Sequence, residues 1–215
     1  MEKREIYLLG IGHGTPIFME LAEACGYTIA GLYHYNDERT GEIDYGYKIL
    51  GSFEDLFRSD IKGKLFCLTM GDMNTKTLVS KRLMAMGGGI PTLIHPTAIV
   101  STYANISDCG VLVCSHCEIH NDSNIEEGCV MWPQAMVEHD CYVGEYTFFG
   151  PKSYLGAYTE VEPKVFIGQC SVIISGKVQH IGTEALIGAG SVVTKAVPKK
   201  AVVAGNPAKI LKYKN

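Results

Sequence analysis

Residues 125–143 read IEEGCV-MWPQAM-VEHDCY-V, three blocks of six, each opened by a bulky apolar side chain: Ile125, Met131, Val137 and then Val143. The spacing extends back through Ile119, Leu112, Ile106 and Val100 to Ile94. It extends forward through Phe149, Leu155, Val161, Ile167, Ile173, Ile181 and Ile187 to Val193. Only two steps differ from six: seven residues from Leu112 to Ile119, and eight from Ile173 to Ile181. Because 47% of the chain is hydrophobic, an unbroken run of this length arises by chance in roughly a few cases per million. Four residues after each register site stands a small or β-branched residue, among them Ala98, Gly110, Cys129, Ala135, Cys141, Thr147, Ser153, Thr159 and Ser191. His116 and Lys177 are the exceptions, each beside one of the two breaks.

A six-residue period suits a short strand followed by a corner, and three such units close a triangular coil. The bulky residue points into the prism and the small one packs at the corner. A single coil cannot bury its own core, so coils stack through parallel ladders. From Ile94 to Val193 the pattern supplies a little over five coils. We expect residues 91–203 to form a parallel β-helix followed by a basic tail, 204–215.

Residues 1–90 lack this period and alternate strand-like with helix-like segments, which predicts a small, Rossmann-like parallel α/β domain. Ile6 to Leu9 predicts a strand running into Gly10-Ile11-Gly12-His13-Gly14, then a helix with Thr15 as N-cap and Pro16 at its first position. Thr28–Tyr35 and Leu65–Met70 predict further strands; Ser52–Phe57 and Asn74–Met86 predict helices. Ligands of such sheets sit beyond the strand carboxyl ends, where a glycine turn opens a helix toward phosphate. The turn lacks the G-x-G-x-x-G spacing, so a phosphate site and a plain tight turn both remain open for Gly12, His13 and Gly14. Asn36-Asp37 after the second strand suit either a ribose contact or an ordinary turn.

A net charge of −4 gives no reason to expect nucleic acid. The opening Met1-Glu2-Lys3-Arg4-Glu5 precedes only four apolar residues, too few for a leader peptide. No segment reaches the length of a membrane span, and a cytoplasmic protein is expected. Eight cysteines invite a zinc reading, and Cys114-Ser115-His116-Cys117 has ligand-like spacing. No second pair follows at structural-zinc spacing, and Cys129 and Cys141 fall on small-residue sites, so buried reduced thiols are the better reading.

Within the repeat, Glu138-His139-Asp140 follows the inward Val137 and therefore lies at a coil surface or corner. A histidine beside a carboxylate has the makings of a general base, although a lone histidine is more often structural. The other coil histidines, His95, His116, His120 and His180, fall at scattered phases, against a stacked metal site. From Thr194 onward there are six lysines and no acid. That stretch suits either a solvated end or the phosphates of an anionic cofactor.

Taken together, Gly12-His13-Gly14, Asn36-Asp37, Gly71-Asp72, Val137-Glu138-His139-Asp140 and Gly205-Asn206-Pro207-Ala208-Lys209 resemble the hexapeptide acyltransferases. The resemblance is to the sialic-acid O-acetyltransferase and nucleotide-sugar N-acetyltransferase family. It implies a left-handed β-helix and acetyl transfer from acetyl-CoA, without metal, to an amine or hydroxyl of a sugar. His139 would be the general base and Asp140 its support. The sugar nucleotide would be held through Gly12, His13, Gly14, Asn36, Asp37 and Gly71. Coenzyme A would lie along Phe148, Ala157, Gln169, Ala189, Lys195, Pro207 and Lys209, and the active sites between the subunits of a homotrimer. Two positions depart from the family. Trp132 stands where relatives often carry asparagine near the acceptor, and Phe148 where they often carry histidine near the thioester. Transfer of a larger acyl group, O-acetylation, a non-catalytic sugar-nucleotide scaffold and a metal-dependent lyase on the same prism are the alternatives.

Overall fold

A computed structural model describes residues 4–215, and the chain divides into two compact units, one up to Leu93 and one from Ile94 to Asn215. Met1, Glu2 and Lys3, which entered the leader-peptide reading, lie outside the described residues.

The first unit is built on β1 (Glu5–Leu9), α1 (Thr15–Ala24), β2 (Thr28–His34), β3 (Ile43–Asp44), β4 (Tyr47–Ser52), α2 (Phe53–Arg58), β5 (Phe66–Leu68) and α3 (Met73–Ala85). Its sheet runs β3-β4-β2-β1-β5, parallel except for β3, which pairs antiparallel with β4. The chain winds outward from β1 to β4 and then crosses to β5 on the other side of β1. The turn after β1 therefore sits where the winding reverses, the place where open α/β sheets hold ligands. Gly10 is required there: its φ of +94° is left-handed, and a side chain would come within 2.8 Å of the Met70 Cβ. The N-cap of α1 is Gly14, not Thr15; the Thr15 hydroxyl instead accepts from the Gly12 amide at 2.8 Å. Ser52 and Asp55 form a reciprocal capping box on α2, and Asp72 caps α3 by accepting from the Thr75 amide at 2.7 Å. The β3–β4 hairpin is absent from the sequence expectation, because its turn, Tyr45-Gly46, lacks the Asn-Gly or Asp-Gly signal of a tight hairpin.

The second unit is a triangular prism. Seventeen two-residue strands follow one another from Leu93–Ile94 to Val192–Val193, and every third one pairs in parallel to make three flat faces. Val137 thus pairs with Leu155 and Ile119, each one coil of eighteen residues away. The inward register residues from Ile119 to Ile187 are almost wholly buried, whereas Ile94, in the first coil with none before it, is 37% exposed.

One detail of the register is corrected. Met131 pairs with Val113 and Val130 with Leu112, so the inward residue is Val113, and the seven-residue step lies between Ile106 and Val113. Both Leu112 and Val113 are buried, so apolarity alone could not separate them. With the register set on Val113, buried Cys117 takes the small-residue site and His116 becomes the corner residue.

The corners share one conformation. From Val113 to Ile187, the third residue after each inward residue is left-handed, as at His116, Asp122, Gln134, Asp140, Tyr146, Tyr158 and Glu184. At three corners the buried residue that follows caps the coil with its hydroxyl: Ser153, Thr159 and Ser171 donate to the carbonyls of Gly150, Gly156 and Gly168 at 2.7–2.8 Å. After the last full coil, Ala201–Gly205 extends one face in parallel and Ala208–Tyr213 returns antiparallel. Residues 204–215, expected as a tail, are thus largely the turn and second strand of a sheet-forming hairpin, with Gly205-Asn206-Pro207-Ala208 at the turn.

A polar clasp ties two coils beside the face on which Glu160–Val161 pairs with His180–Ile181. Glu162 accepts from the Thr183 hydroxyl, from the Thr183 amide at 2.7 Å and from His180 Nε2 at 2.9 Å, and these bonds hold its pKa down to about 2. A depressed carboxylate contributes stability above its unfolded pKa and loses it as pH falls toward the folded one. Since the Glu162 side chain is 35% exposed, solvent screening limits the effect to about 1 kcal/mol. Denaturant titrations should show Glu162→Gln costing that amount at pH 7 and nothing at pH 2; an equal cost at both would contradict the clasp.

Candidate active site

His139 leaves the face that carries Val137 and stands at the corner, with Asp140 next to it in the left-handed position. Aspartate tolerates that backbone better than most residues, and the turn brings its Oδ2 to 2.7 Å from His139 Nδ1. An ionised carboxylate can only accept, so Nδ1 carries the hydrogen and Nε2 keeps a lone pair. Both side chains are accessible, at 37% and 45% exposure. The Tyr158 ring meets the imidazole edge-on at 5.2 Å. Tyr158 lies one coil and one residue beyond His139, and counting eighteen residues onward from that corner would have found it. Ala157, on the same edge, is buried against the coil.

No thiol competes for the role of base or nucleophile here. Burial pushes the Cys141 pKa up to about 11, and its sulfur donates to the carbonyls of His139 and Gly156. Burial likewise raises Cys117 to about 11 and Cys67 to about 12, and all eight cysteines are free thiols. Among the described residues, no three histidine, cysteine, aspartate or glutamate side chains gather in a metal-holding group.

Behind the corner, on the face of Val137, lies a polar ladder that the sequence reading missed. His120 Nδ1 is 3.2 Å from Glu138 and its Nε2 3.4 Å from Glu118, while the Tyr154 hydroxyl donates to Glu138 at 3.1 Å. Outward residues of neighbouring coils align only because the coil length is eighteen.

Trp132 and Phe148 belong to a different face. Their rings lie 6.1 Å apart, and Phe148 stacks on Phe166 at 4.8 Å and 10°. With Val130 and Leu186 they make an apolar outer row on the eight-stranded face. Gln169 and Ala189 are exposed on the corner that follows this face and stack one coil apart, the Gly190 amide donating to the Gln169 carbonyl at 2.8 Å. One chain therefore brings His139, Asp140 and Ala157 to one edge, and Trp132, Phe148, Gln169 and Ala189 to another face and edge. Lys195 and Lys209 meet in a cavity of about 290 Å³ with an apolar floor of Val193, Val197 and Val203, while Pro207 is exposed in the adjoining turn.

In the first unit, Gly12 and His13 line a cavity of about 380 Å³ together with Ile11, Arg39, Asp44 and Tyr45. Gly14, Asn36, Asp37 and Gly71 do not line it. Asn36 Oδ1 engages His34 Nδ1 at 2.9 Å, the Asp37 carbonyl accepts from the Thr40 amide, and Gly71 precedes the cap of α3.

No protein-family model matches the chain. Solved structures match it almost end to end. PerB from Caulobacter crescentus, in complex with CoA and GDP-perosamine, is 27% identical with a TM-score of 0.88, and the match covers 97% of both chains. The acetyltransferase domain of PglB from Neisseria gonorrhoeae, in complex with acetyl coenzyme A, is 27% identical with a TM-score of 0.86, covering 97% of this chain and all of that one. The chain is a hexapeptide-repeat acyltransferase. WeeI from Acinetobacter baumannii, 23% identical with a TM-score of 0.84, shares the fold. The acyltransferase prism is the left-handed β-helix of this group, joined to a Rossmann-like N-terminal domain. Among its described residues, no helix is long and apolar enough to cross a membrane.

Proposed function

We propose that this acyltransferase moves the acetyl group of acetyl-CoA onto the amine of a nucleotide-linked amino-deoxy sugar in the cytoplasm. The observation that carries the reading is the accessible His139, its Nδ1 held by Asp140 and its Nε2 left as the base. In the reaction the amine nitrogen attacks the thioester carbonyl and His139 Nε2 takes its proton. The C–N bond forms, the C–S bond breaks, and the proton passes to the departing CoA thiolate. With Cys141 held protonated, no acyl-enzyme step is needed. PerB binds GDP-perosamine, an amino sugar on a nucleotide, and PglB binds acetyl-CoA; these are the models for the two substrates here.

CoA is assigned to Phe148, Ala157, Gln169 and Ala189, with Lys195 and Lys209 suited to its phosphates and the valine floor between them to apolar contact. The sugar nucleotide is assigned to the N-terminal unit through Gly12, His13, Gly14, Asn36, Asp37 and Gly71, with Trp132 walling the acceptor. A homotrimer is supported by the division of these residues between two edges of one prism, and by the apolar row Val130-Phe148-Phe166-Leu186, which suits burial against another copy. Light scattering that returned the 23.5 kDa of one chain would remove the trimer.

The test is thiol release from acetyl-CoA in the presence of GDP-, UDP- and dTDP-linked amino sugars, with free sialic acid as a hydroxyl acceptor. Turnover with a nucleotide-linked amine is expected. Turnover with sialic acid alone would make the protein an O-acetyltransferase, and silence with CoA still bound would point to a different acyl donor.

A further inference from the structure

The cavity of the first unit contains three groups to which the motifs assigned no role: Arg39, Asp44 and Tyr45. Arg39 is not a free anion anchor, because its Nε bonds Glu42 at 2.8 Å and its Nη1 meets Asp44 at 3.2 Å. Two carboxylates already offset its charge, and its planar fork acts as a strut that fixes Asp44 at the cavity wall. Asp44 is the sheltered member of the cluster, its side chain 19% exposed. Tyr45 follows it in a two-residue turn between paired Asp44 and Tyr47, with φ of +47° before Gly46 at +85°. Such a turn favours asparagine, aspartate or glycine at its first position, and tyrosine there is strained. The ring gains no burial in return: Tyr45 is 68% exposed, at the rim of this cavity and of a second one that Pro16 and Met19 of α1 also line.

We infer that Asp44, held by Arg39, reads the base of the bound sugar nucleotide, that Tyr45 stacks on it, and that the base is guanine. The inference rests on the nucleotide-sugar reading above and deepens it. An ionised carboxylate offers acceptors only. Among the common bases, guanine alone presents two adjacent donors on one edge, the N1–H and the exocyclic amino group, and so matches both oxygens of Asp44. Uracil and thymine present one N–H flanked by two carbonyl oxygens, which would face the carboxylate oxygens and be repelled. Cytosine and adenine set a ring acceptor beside their amino group, with the same conflict. Discrimination thus comes from a repulsive element as much as from an attractive one. Stacking on Tyr45 adds affinity without regard to the base, since every base has a π-face. The diphosphate then falls toward Gly12 and His13, at the switch point of the sheet and the start of α1.

The test is calorimetric titration of the full-length protein with GDP, UDP, dTDP and ADP, with CoA binding followed in parallel. GDP should bind at least tenfold more tightly than the other three. Asp44→Asn should lose most of that preference, weakening GDP tenfold or more while moving UDP by less than threefold. Tyr45→Ala should weaken all four alike, by roughly tenfold. UDP, dTDP or ADP binding as tightly as GDP to the wild type, or Asp44→Asn retaining the GDP preference, would overturn the guanine assignment and leave the nucleotide-sugar reading intact. Failure of all four nucleotides to bind, with CoA still bound, would overturn both.

Discussion

His139→Ala should lower acetyl-transfer turnover by about a hundred- to ten-thousand-fold, the usual worth of a positioned general base, with CoA affinity unchanged within a few fold. The variant removes the imidazole and nothing that the fold uses. His139 is accessible at a corner, and its backbone carbonyl, which accepts from the Tyr158 amide and the Cys141 thiol, survives the change. Asp140→Asn should sit between wild type and His139→Ala. The amide can still meet Nδ1, but it no longer selects the tautomer that leaves Nε2 free, and it no longer stabilises the imidazolium formed during attack. Steady-state kinetics with the nucleotide-linked amine, alongside CoA titration, would check both variants. A rate for His139→Ala within a few fold of wild type would remove the histidine from the reaction and leave the fold assignment untouched.

Phe149→Ala should cost about 3–5 kcal/mol of stability, in the range for emptying a buried aromatic site. Phe149 is fully buried, and its strand pairs with the strands of Met131 and Ile167 in the coils on either side. A cavity there weakens three consecutive coils of a structure whose stability is a sum of neighbour interfaces. Tyr142→Ala is the control. Tyr142 occupies the outward slot beside buried Val143 and is 41% exposed, so its loss should stay within about 0.5 kcal/mol. Urea unfolding of the two variants under one condition separates inward from outward positions. Equal costs would mean that the inward register is misassigned.

Much of this chain was legible because a prism built from six-residue units repeats the same physical demand at every coil. Ile119 to Ile167 are apolar because each must fill the prism, and the residues four positions on are small or β-branched because each meets a corner. The exception at Leu112 and Val113 is equally physical: two adjacent apolar residues are both buried there, and only the pairing with Val130 and Met131 says which points inward. The His139–Asp140 pair was legible because its partners are adjacent in the chain. The Glu118–His120–Glu138–Tyr154 ladder was not, since it spans three strands and exists only where coils stack.

The sequence by itself determined the repeat, the boundary between two kinds of patterning, the adjacent His139–Asp140 pair, and the lysine-rich end. Each of these is a local or strictly periodic property, and local chemistry survives without a third dimension. Tertiary structure alone decided that residues 204–215 fold back as a hairpin strand, that Trp132 and Phe148 sit on a different face from His139, and that Arg39, Asp44 and Tyr45 close around the Gly12-His13 turn. The last of these depends on a short antiparallel strand with an atypical turn at the edge of a parallel sheet. Its placement comes from pairing with β4, whose own position beside β2 rests on contacts between residues far apart in the chain that no local pattern encodes.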